Sequence, residues 1–191
     1  MATATSTKPK RIDGFPYQKE GVQKIHEFND RALLADEQGL GKTWQALRAM
    51  LESMKGKGIV VIVCPAHLKY QWQRQAQEHF GIRSEVLSGM KPPENITAPA
   101  SRNKIYIVSY NLLGQYNDET TWVNWLAKLK PDMIIGDEIQ SIKNRKSIQS
   151  RAFCYLCVGI DKIIALSGTP LTNRAPELWP IINILAPELF P

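Results

Sequence analysis

The sequence predicts an α/β domain whose mostly parallel sheet is covered by helices on both faces. Short apolar segments alternate along the chain with segments whose apolar residues recur at helical spacing. Segments 59–63 and 105–108 are almost entirely apolar, which is typical of parallel strands buried on both faces. A chain of 191 residues is long enough for one domain with a sizeable core.

The boundaries of the elements follow from the same pattern. We predict strands over residues 31–35, 59–64, 84–87, 105–109, 132–136 and 162–166. We predict helices over residues 17–29, 42–54, 67–80, 120–129, 146–158 and 176–186. Residues 1–14 are expected to form a flexible tail, because the first eleven contain almost nothing apolar. Residues 15–191 then form the domain, and residues 88–104 are its longest loop.

Composition and charge limit the setting in which the protein works. The longest apolar run, residues 59–64, is far shorter than the roughly 20 residues that span a bilayer, and residues 1–10 lack the apolar stretch of a secretory signal. Three cysteines cannot all pair with one another, which favours a reducing compartment. We therefore expect a cytoplasmic, nucleoid or nuclear protein, neither secreted nor held in a membrane. The net charge of +6 is compatible with a polyanionic partner.

The first predicted strand leads into a glycine-rich loop with the sequence DEQGLGKT, residues 36–43. It fits the phosphate-binding pattern GxxxxGK[ST], except that Asp36 stands where the pattern has glycine. Glycine permits positive φ and close backbone approach, so successive N–H groups can face phosphate oxygens. The lysine brings positive charge to the terminal phosphates, and the threonine hydroxyl can ligate Mg²⁺. The predicted nucleotide-binding residues are Gly39, Leu40, Gly41, Lys42 and Thr43.

Two adjacent carboxylates, Asp137 and Glu138, follow the predicted strand 132–136. In open α/β sheets ligands lie at the carboxyl ends of the strands, so these acids are expected beside the glycine-rich loop. Asp137 can hold Mg²⁺ directly or through water, and Glu138 can orient and polarise an attacking water. Together with Lys42 they are the predicted catalytic residues.

Residues that suit contacts with nucleic acid follow two other predicted strands. Pro65 and Lys69 come after strand 59–64, where a helix N-terminus and an ammonium group can hold a DNA phosphate. Ser109 and Tyr110 offer a second such contact, although a plain turn at the end of the strand explains them equally well.

Polar residues near the start and the end of the chain complete the candidates. Gln18 lies on the first predicted helix, and its carboxamide can read the paired donor and acceptor on the edge of adenine, although a solvated helix glutamine is an alternative. Ser167 and Thr169 follow the last predicted strand, where their hydroxyls can bond the acidic pair and the surroundings of a nucleotide. Taken alone, their Ser-Gly-Thr-Pro segment is a turn.

A series of short motifs carries a family resemblance. It consists of Pro16-Tyr17-Gln18, the loop 36–43, Val63-Cys64-Pro65, Ile107-Val108-Ser109-Tyr110, Asp137-Glu138 with Lys143-Asn144, and Leu166-Ser167-Gly168-Thr169-Pro170. In this order the motifs resemble the first ATPase lobe of Swi–Snf-type superfamily-two helicases, over about residues 15–190. The resemblance implies a RecA-like P-loop domain that uses ATP and Mg²⁺ for translocation on duplex DNA, usually without strand separation.

The same resemblance implies roles for individual residues. Gln18 would contact adenine, while Ser167 and Thr169 would couple the nucleotide state to DNA. The acidic box of the family usually ends in histidine, whereas this chain has Gln140, whose amide can bridge to the Ser167 turn but cannot titrate.

The resemblance also raises an expectation about a partner. The second RecA-like lobe of the family, with its arginine finger, would begin where this chain ends, so we expect the lobe alone to hydrolyse ATP at close to background rate. Two alternatives stay open: a stand-alone nucleotide-binding module that regulates a partner, and a lobe of an RNA helicase.

Overall fold

A computed structural model describes residues 13–93, 103–169 and 178–189. These residues form one six-stranded sheet in which every pair of neighbouring strands is parallel, in the order β1-β6-β5-β2-β4-β3. The strands are β1 (Arg31–Leu34), β2 (Gly58–Cys64), β3 (Glu85–Val86), β4 (Asn103–Ser109), β5 (Met133–Gly136) and β6 (Lys162–Leu166). All six predicted strands are confirmed, although the edge strand β3 is only two residues long.

Within the described residues, six α-helices connect and cover these strands. They are α1 (Pro16–Glu27), α2 (Lys42–Met54), α3 (Lys69–Phe80), α4 (Trp122–Lys128), α5 (Ile148–Cys157) and α6 (Trp179–Leu185). The predicted limits of α2 are confirmed at both ends, since left-handed Gly41 precedes it and left-handed Lys55 follows it. The other helices differ from prediction by a few residues at their ends, and the predicted start of α6 lies outside the described residues.

Helices lie on both faces of the sheet, as the sequence predicts, because β2 and its neighbours are apolar on both sides. Alternate residues of β2 belong to two different cores. One core, with Val60 and Ile62 at its centre, packs against α1, α2 and α3. The other, with Val61 and Val63, packs against α4, α5 and α6.

The parallel arrangement brings the carboxyl ends of all strands to one edge of the sheet. Five neighbouring strands, in the spatial order β1, β6, β5, β2 and β4, run directly into the five segments that the sequence singles out. The predicted tail, residues 1–14, and the predicted loop, residues 88–104, lie partly outside the described residues. No helix in the described ranges is long and apolar enough to cross a membrane.

Candidate functional site

The glycine-rich loop after β1 has the geometry of an anion-binding loop. Gly39 and Gly41 adopt φ values of 88° and 73°, which favour glycine, and α2 begins at the next residue, Lys42. The loop therefore leads directly into the positive end of the helix dipole, a location that suits an anion. The ammonium of Lys42 stays within the loop, where it donates to the carbonyls of Asp36 and Glu37 at 2.8 Å each.

Gln18 of α1 is buried against this loop rather than solvated. Its Oε1 accepts a hydrogen bond from the backbone N–H of Phe15 at 3.0 Å, and its Nε2 donates to the carbonyl of Leu40 at 3.2 Å. A Cβ at Gly41 would come within 2.2 Å of that same Nε2. Glycine is therefore needed at position 41 for its positive φ and for this close approach, while the contact of Gln18 with adenine stays a prediction.

The aspartate that replaces glycine at the start of the loop has a structural partner. The carboxylate of Asp36 accepts a hydrogen bond from Nε2 of Gln45, one turn into α2, at 2.9 Å. Gln45 is fully buried, and a Cβ at Gly21 would lie 1.9 Å from its Oε1. Asp36 thus ties the start of the loop to α2, and Gly21 on α1 leaves room for the amide. Residue spacing alone does not indicate this three-residue contact.

Asp137, directly after β5, is a buried carboxylate whose two oxygens are both held. Oδ2 accepts a hydrogen bond from Nε1 of Trp72 at 2.7 Å, and Oδ1 accepts one from the backbone N–H of Glu138 at 2.9 Å. Burial raises the pKa of Asp137 above its ordinary value, since the Trp72 hydrogen bond offsets burial only in part and the negative charge of Glu138 adds to the rise.

Glu138 begins a chain of hydrogen bonds that leads from the acidic pair to the turn after β6. Its backbone is left-handed, with a φ of 49°, a strained conformation that is common at functional sites. Its carboxylate accepts from Nε2 of Gln140 at 2.5 Å, and Oε1 of Gln140 accepts from the hydroxyl of buried Ser167 at 2.7 Å. The hydroxyl of Ser167 accepts in turn from the backbone N–H of Thr169 at 3.1 Å. The bridge predicted from Gln140 to the Ser167 turn is confirmed.

The turn after β6 also contacts the glycine-rich loop. A Cβ at Gly168 would lie 2.8 Å from Cγ of Gln38 and 3.6 Å from Nζ of Lys42. Because β6 separates β1 from β5 in the sheet, this turn lies between the loop and the acidic pair. The structure therefore brings together the loop, the acids and the hydroxyl turn as the sequence predicts.

The residues predicted to contact DNA phosphates have protein partners in the structure. Lys69, at the start of α3, donates to the carbonyl of Leu87 at 2.8 Å. The hydroxyl of Tyr110 is buried and donates to the carbonyl of Asp137 at 2.9 Å, and Ser109 is buried beside it. Tyr110 thus supports the acid strand, which sequence reasoning missed. The DNA contacts of these residues and of Pro65, which precedes a short 3₁₀ turn, stay predictions.

The comparisons with known proteins agree with this arrangement. A family model described as the SNF2-related domain matches residues 17–191. The chain is 35% identical over 176 residues to a Caenorhabditis elegans homologue of SWI/SNF-related matrix-associated actin-dependent regulator of chromatin subfamily A-like protein 1, covering 92% of this chain and 24% of the relative. It is 29% identical over 175 residues to human DNA annealing helicase and endonuclease ZRANB3, covering 92% of this chain and 16% of the relative.

A solved structure shows the same fold. It is described as the Sulfolobus solfataricus SWI2/SNF2 ATPase core in complex with dsDNA, and it is 25% identical to this chain with a TM-score of 0.74. The match covers 96% of this chain and 38% of that core. The chain spans less than a quarter of the length of the nematode and human relatives. Fold, motif order and the family match over residues 17–191 together show that the chain belongs to the SNF2-related domain family.

Proposed function

We propose that this chain is the ATP-binding first lobe of an ATP-dependent translocase on duplex DNA. The observation that carries the proposal is the convergence of Lys42, the buried Asp137 and the Ser167–Thr169 turn at one edge of the sheet. The names of the relatives support it: one is a DNA annealing helicase, and the solved SWI2/SNF2 core is a complex with dsDNA.

The residues at this edge fit a nucleotide with its magnesium ion. The loop offers backbone N–H groups at the N-terminus of α2 and one ammonium, which suit phosphate oxygens. Thr43, in the first turn of α2, and Asp137 would hold Mg²⁺, since hydroxyl and carboxylate oxygens are the ligands that this ion prefers. When bound, Mg²⁺ neutralises charge that develops on the phosphate oxygens.

The chain's own groups would then prepare the attack of water on phosphorus. Glu138 holds its negative charge beside Asp137 and can accept a proton from a water that it orients. Gln140 fixes the Glu138 carboxylate and links it to Ser167, so a movement of the turn after β6 would reach the acid directly. This link is the route by which we propose that the nucleotide state and DNA are coupled.

We propose further that a facing second lobe completes the site in the parent protein. Phosphoryl transfer depends on positive charge around the phosphate, and an arginine supplied by a facing surface typically contributes roughly 10³–10⁵ in rate. Residues 1–191 alone should therefore bind ATP and hydrolyse it near background, whereas a parent with both lobes should respond to duplex DNA. Stimulation of that parent by RNA but not by duplex DNA would favour an RNA helicase instead.

The test of the nucleotide site is a titration of a fluorescent ATP analogue against Lys42→Ala. Charge-assisted bonds to phosphate contribute about 1.5–3 kcal/mol each, so we expect affinity to fall by at least tenfold. Lys57→Ala is the matched control. Lys57 is an exposed lysine directly before β2, at the amino edge of the sheet and therefore on the side away from the loop. Equal dissociation constants for wild type and Lys42→Ala would refute the assignment of the loop.

A further inference from the structure

The hydrogen bond between Trp72 and Asp137 is a buried contact that the proposed reaction does not use. Trp72 lies in the first turn of α3 and is 1% exposed, and its Nε1 donates to Oδ2 of Asp137 at 2.7 Å across 65 positions of sequence. By its spacing Trp72 belongs to the apolar face of α3, with Ala76 one turn later. Its ring packs in the core, and its N–H donates a hydrogen bond to the Asp137 carboxylate.

The other tryptophans show that burial alone does not explain this bond. Nε1 atoms of Trp44 and Trp125 are also buried, and neither has a hydrogen-bond partner among the described residues. Trp122 donates to the backbone carbonyl of Gly89 at 3.0 Å. The core therefore holds indole rings with or without a partner, and a phenylalanine at position 72 would supply much of the same packing. What an indole adds at position 72 is the N–H group on Asp137.

Two donors fix the orientation of the Asp137 carboxylate. The N–H of Glu138 holds Oδ1, and the N–H of Trp72 holds Oδ2. Each carboxylate oxygen can accept two hydrogen bonds or metal contacts, so one position on each oxygen remains for a cation or its water. A carboxylate already held in this way binds a metal without first losing side-chain freedom, and hydrogen-bonding partners of metal ligands commonly act in this manner.

We propose that Trp72 is a positioning residue for the magnesium site, its indole N–H setting the orientation in which Asp137 receives the ion. The inference rests on the proposed function, since it assumes that Asp137 holds Mg²⁺ beside a nucleotide. Trp72 acts through Asp137 and touches neither phosphate nor metal. Its loss should therefore raise the Mg²⁺ concentration that binding requires and leave the affinity for nucleotide without metal unchanged.

The test uses residues 1–191 and a fluorescent ATP analogue as the probe. Binding is measured in EDTA and then across a Mg²⁺ titration for wild type, Trp72→Phe and Trp125→Phe. Trp125→Phe is the matched control, because its Nε1 is buried without a partner among the described residues and its ring packs against Tyr106 and Trp122. We expect the Mg²⁺ concentration for half-saturation to rise roughly 10–100-fold in Trp72→Phe and to stay within twofold of wild type in Trp125→Phe.

Three outcomes of this titration would overturn the inference. A Mg²⁺ dependence of Trp72→Phe equal to that of the control would show that the N–H does not position the site. An equal loss of affinity in EDTA and in Mg²⁺ would show that Trp72 serves packing alone. If wild type binds the nucleotide without any Mg²⁺ dependence, the proposed metal site itself fails, and the inference fails with it. If Trp72→Phe does not fold, β-(3-benzothienyl)alanine at position 72 replaces the N–H by sulfur within a ring of the same shape.

An NMR measurement tests the contact without nucleotide. The indole N–H signal of Trp72 is assigned as the one lost from a ¹⁵N–¹H spectrum of Trp72→Phe. In Asp137→Asn this signal should move upfield, because the charged acceptor is replaced by a neutral one, while the Trp125 signal stays in place. An unmoved Trp72 signal would overturn the inference even if nucleotide binding proves to depend on Mg²⁺.

Discussion

Two buried aspartates lie at opposite edges of the sheet, and they differ in what surrounds them. Asp30 precedes β1 at the amino edge and is 7% exposed, whereas Asp137 follows β5 at the carboxyl edge and is 8% exposed. Burial alone raises the pKa of a carboxyl group, and both residues experience it. The pKa of Asp30 is nevertheless lowered, while the pKa of Asp137 is raised.

The partners of Asp30 explain its lowered pKa. Its Oδ2 accepts hydrogen bonds from the hydroxyl of Ser53 at 2.5 Å and from the ammonium of Lys162 at 3.2 Å, and its Oδ1 lies 2.7 Å from Nδ1 of His26. These bonds together outweigh burial. They also join the end of α1 to α2 and β6. Cationic groups of the protein thus compensate the negative charge of Asp30, which stabilises the fold.

Asp137 has partners of a different kind. Trp72 and the backbone of Glu138 are neutral donors, the side chain of Glu138 adds negative charge, and Lys42 lowers the pKa least among the causes. The charge of Asp137 is therefore poorly compensated within the domain. The contrast agrees with the proposed Mg²⁺ site, because an external cation would supply the positive charge that the domain provides for Asp30 and not for Asp137.

The largest expected effect belongs to the neighbour of Asp137. Glu138→Gln keeps the shape of the side chain but removes the charge that accepts a proton from water. We expect turnover of the two-lobe parent to fall roughly 10²–10⁴-fold, with ATP affinity within a few-fold of wild type. Steady-state hydrolysis and nucleotide titration measure the two quantities. If Glu138→Gln hydrolyses ATP at the wild-type rate, the catalytic carboxylate belongs to another residue.

Asp137→Asn should separate function from stability. We expect the Mg²⁺ requirement of nucleotide binding to rise roughly 10–100-fold. Because the folded state raises the pKa of Asp137, ionisation at neutral pH opposes folding. Removing the charge therefore offsets the cost of leaving the Trp72 and Glu138 donors with a single acceptor oxygen, and we expect the free energy of unfolding to change by less than about 1 kcal/mol. Urea unfolding at pH 7 checks this value. A loss of several kcal/mol would mean that Asp137 is as well compensated as Asp30.

Asp30→Asn should give the opposite result. Asparagine tolerates the left-handed φ of 60° at this position, so the change isolates the lost charge. We expect the free energy of unfolding to fall by roughly 1–3 kcal/mol, because bonds to Lys162 and His26 weaken. Mg²⁺-dependent nucleotide binding should stay within twofold of wild type. A large change in that binding would show that Asp30 also affects the nucleotide site, and the contrast between Asp30 and Asp137 would then be wrong.

The contrast between the edges also shows what the sequence can and cannot reveal. The strands and the limits of α2 were predictable because apolar runs and glycines are local signals. The Gln140–Ser167 bridge was implied by the family resemblance, and the structure supplies its physical reason, since the neighbouring strands β5 and β6 end side by side. The hydrogen bond from Trp72 to Asp137 was not predictable, because the spacing of Trp72 indicates only a core residue and its partner is 65 positions away. The hydrogen bond from Tyr110 to the backbone of Asp137 was not predictable either, because sequence does not show which way a side chain at a strand end turns.

The smallest expected effect concerns His26, which bridges Asp30 and Glu52 at the amino edge. Burial lowers the pKa of His26, but its hydrogen bonds to both carboxylates outweigh burial and raise it above the ordinary value. The pKa values of Asp30 and Glu52 are both lowered, so these partners stay ionised near neutral pH. Protonated His26 therefore stabilises the fold.

The sign of the pH dependence follows from the raised pKa. The stabilising contribution of His26 is complete below the unfolded-state pKa of about 6.5 and is lost as pH rises through the higher folded-state pKa. We expect wild type to exceed His26→Gln in unfolding free energy by about 0.2–1 kcal/mol at pH 6, since the bridge is partly exposed, and by less at pH 9. Urea titrations of both proteins at the two pH values measure the difference. A difference that grows toward pH 9 would mean that His26 acts in its neutral form, and Asp30 would then depend on Lys162 and Ser53 alone for its compensation.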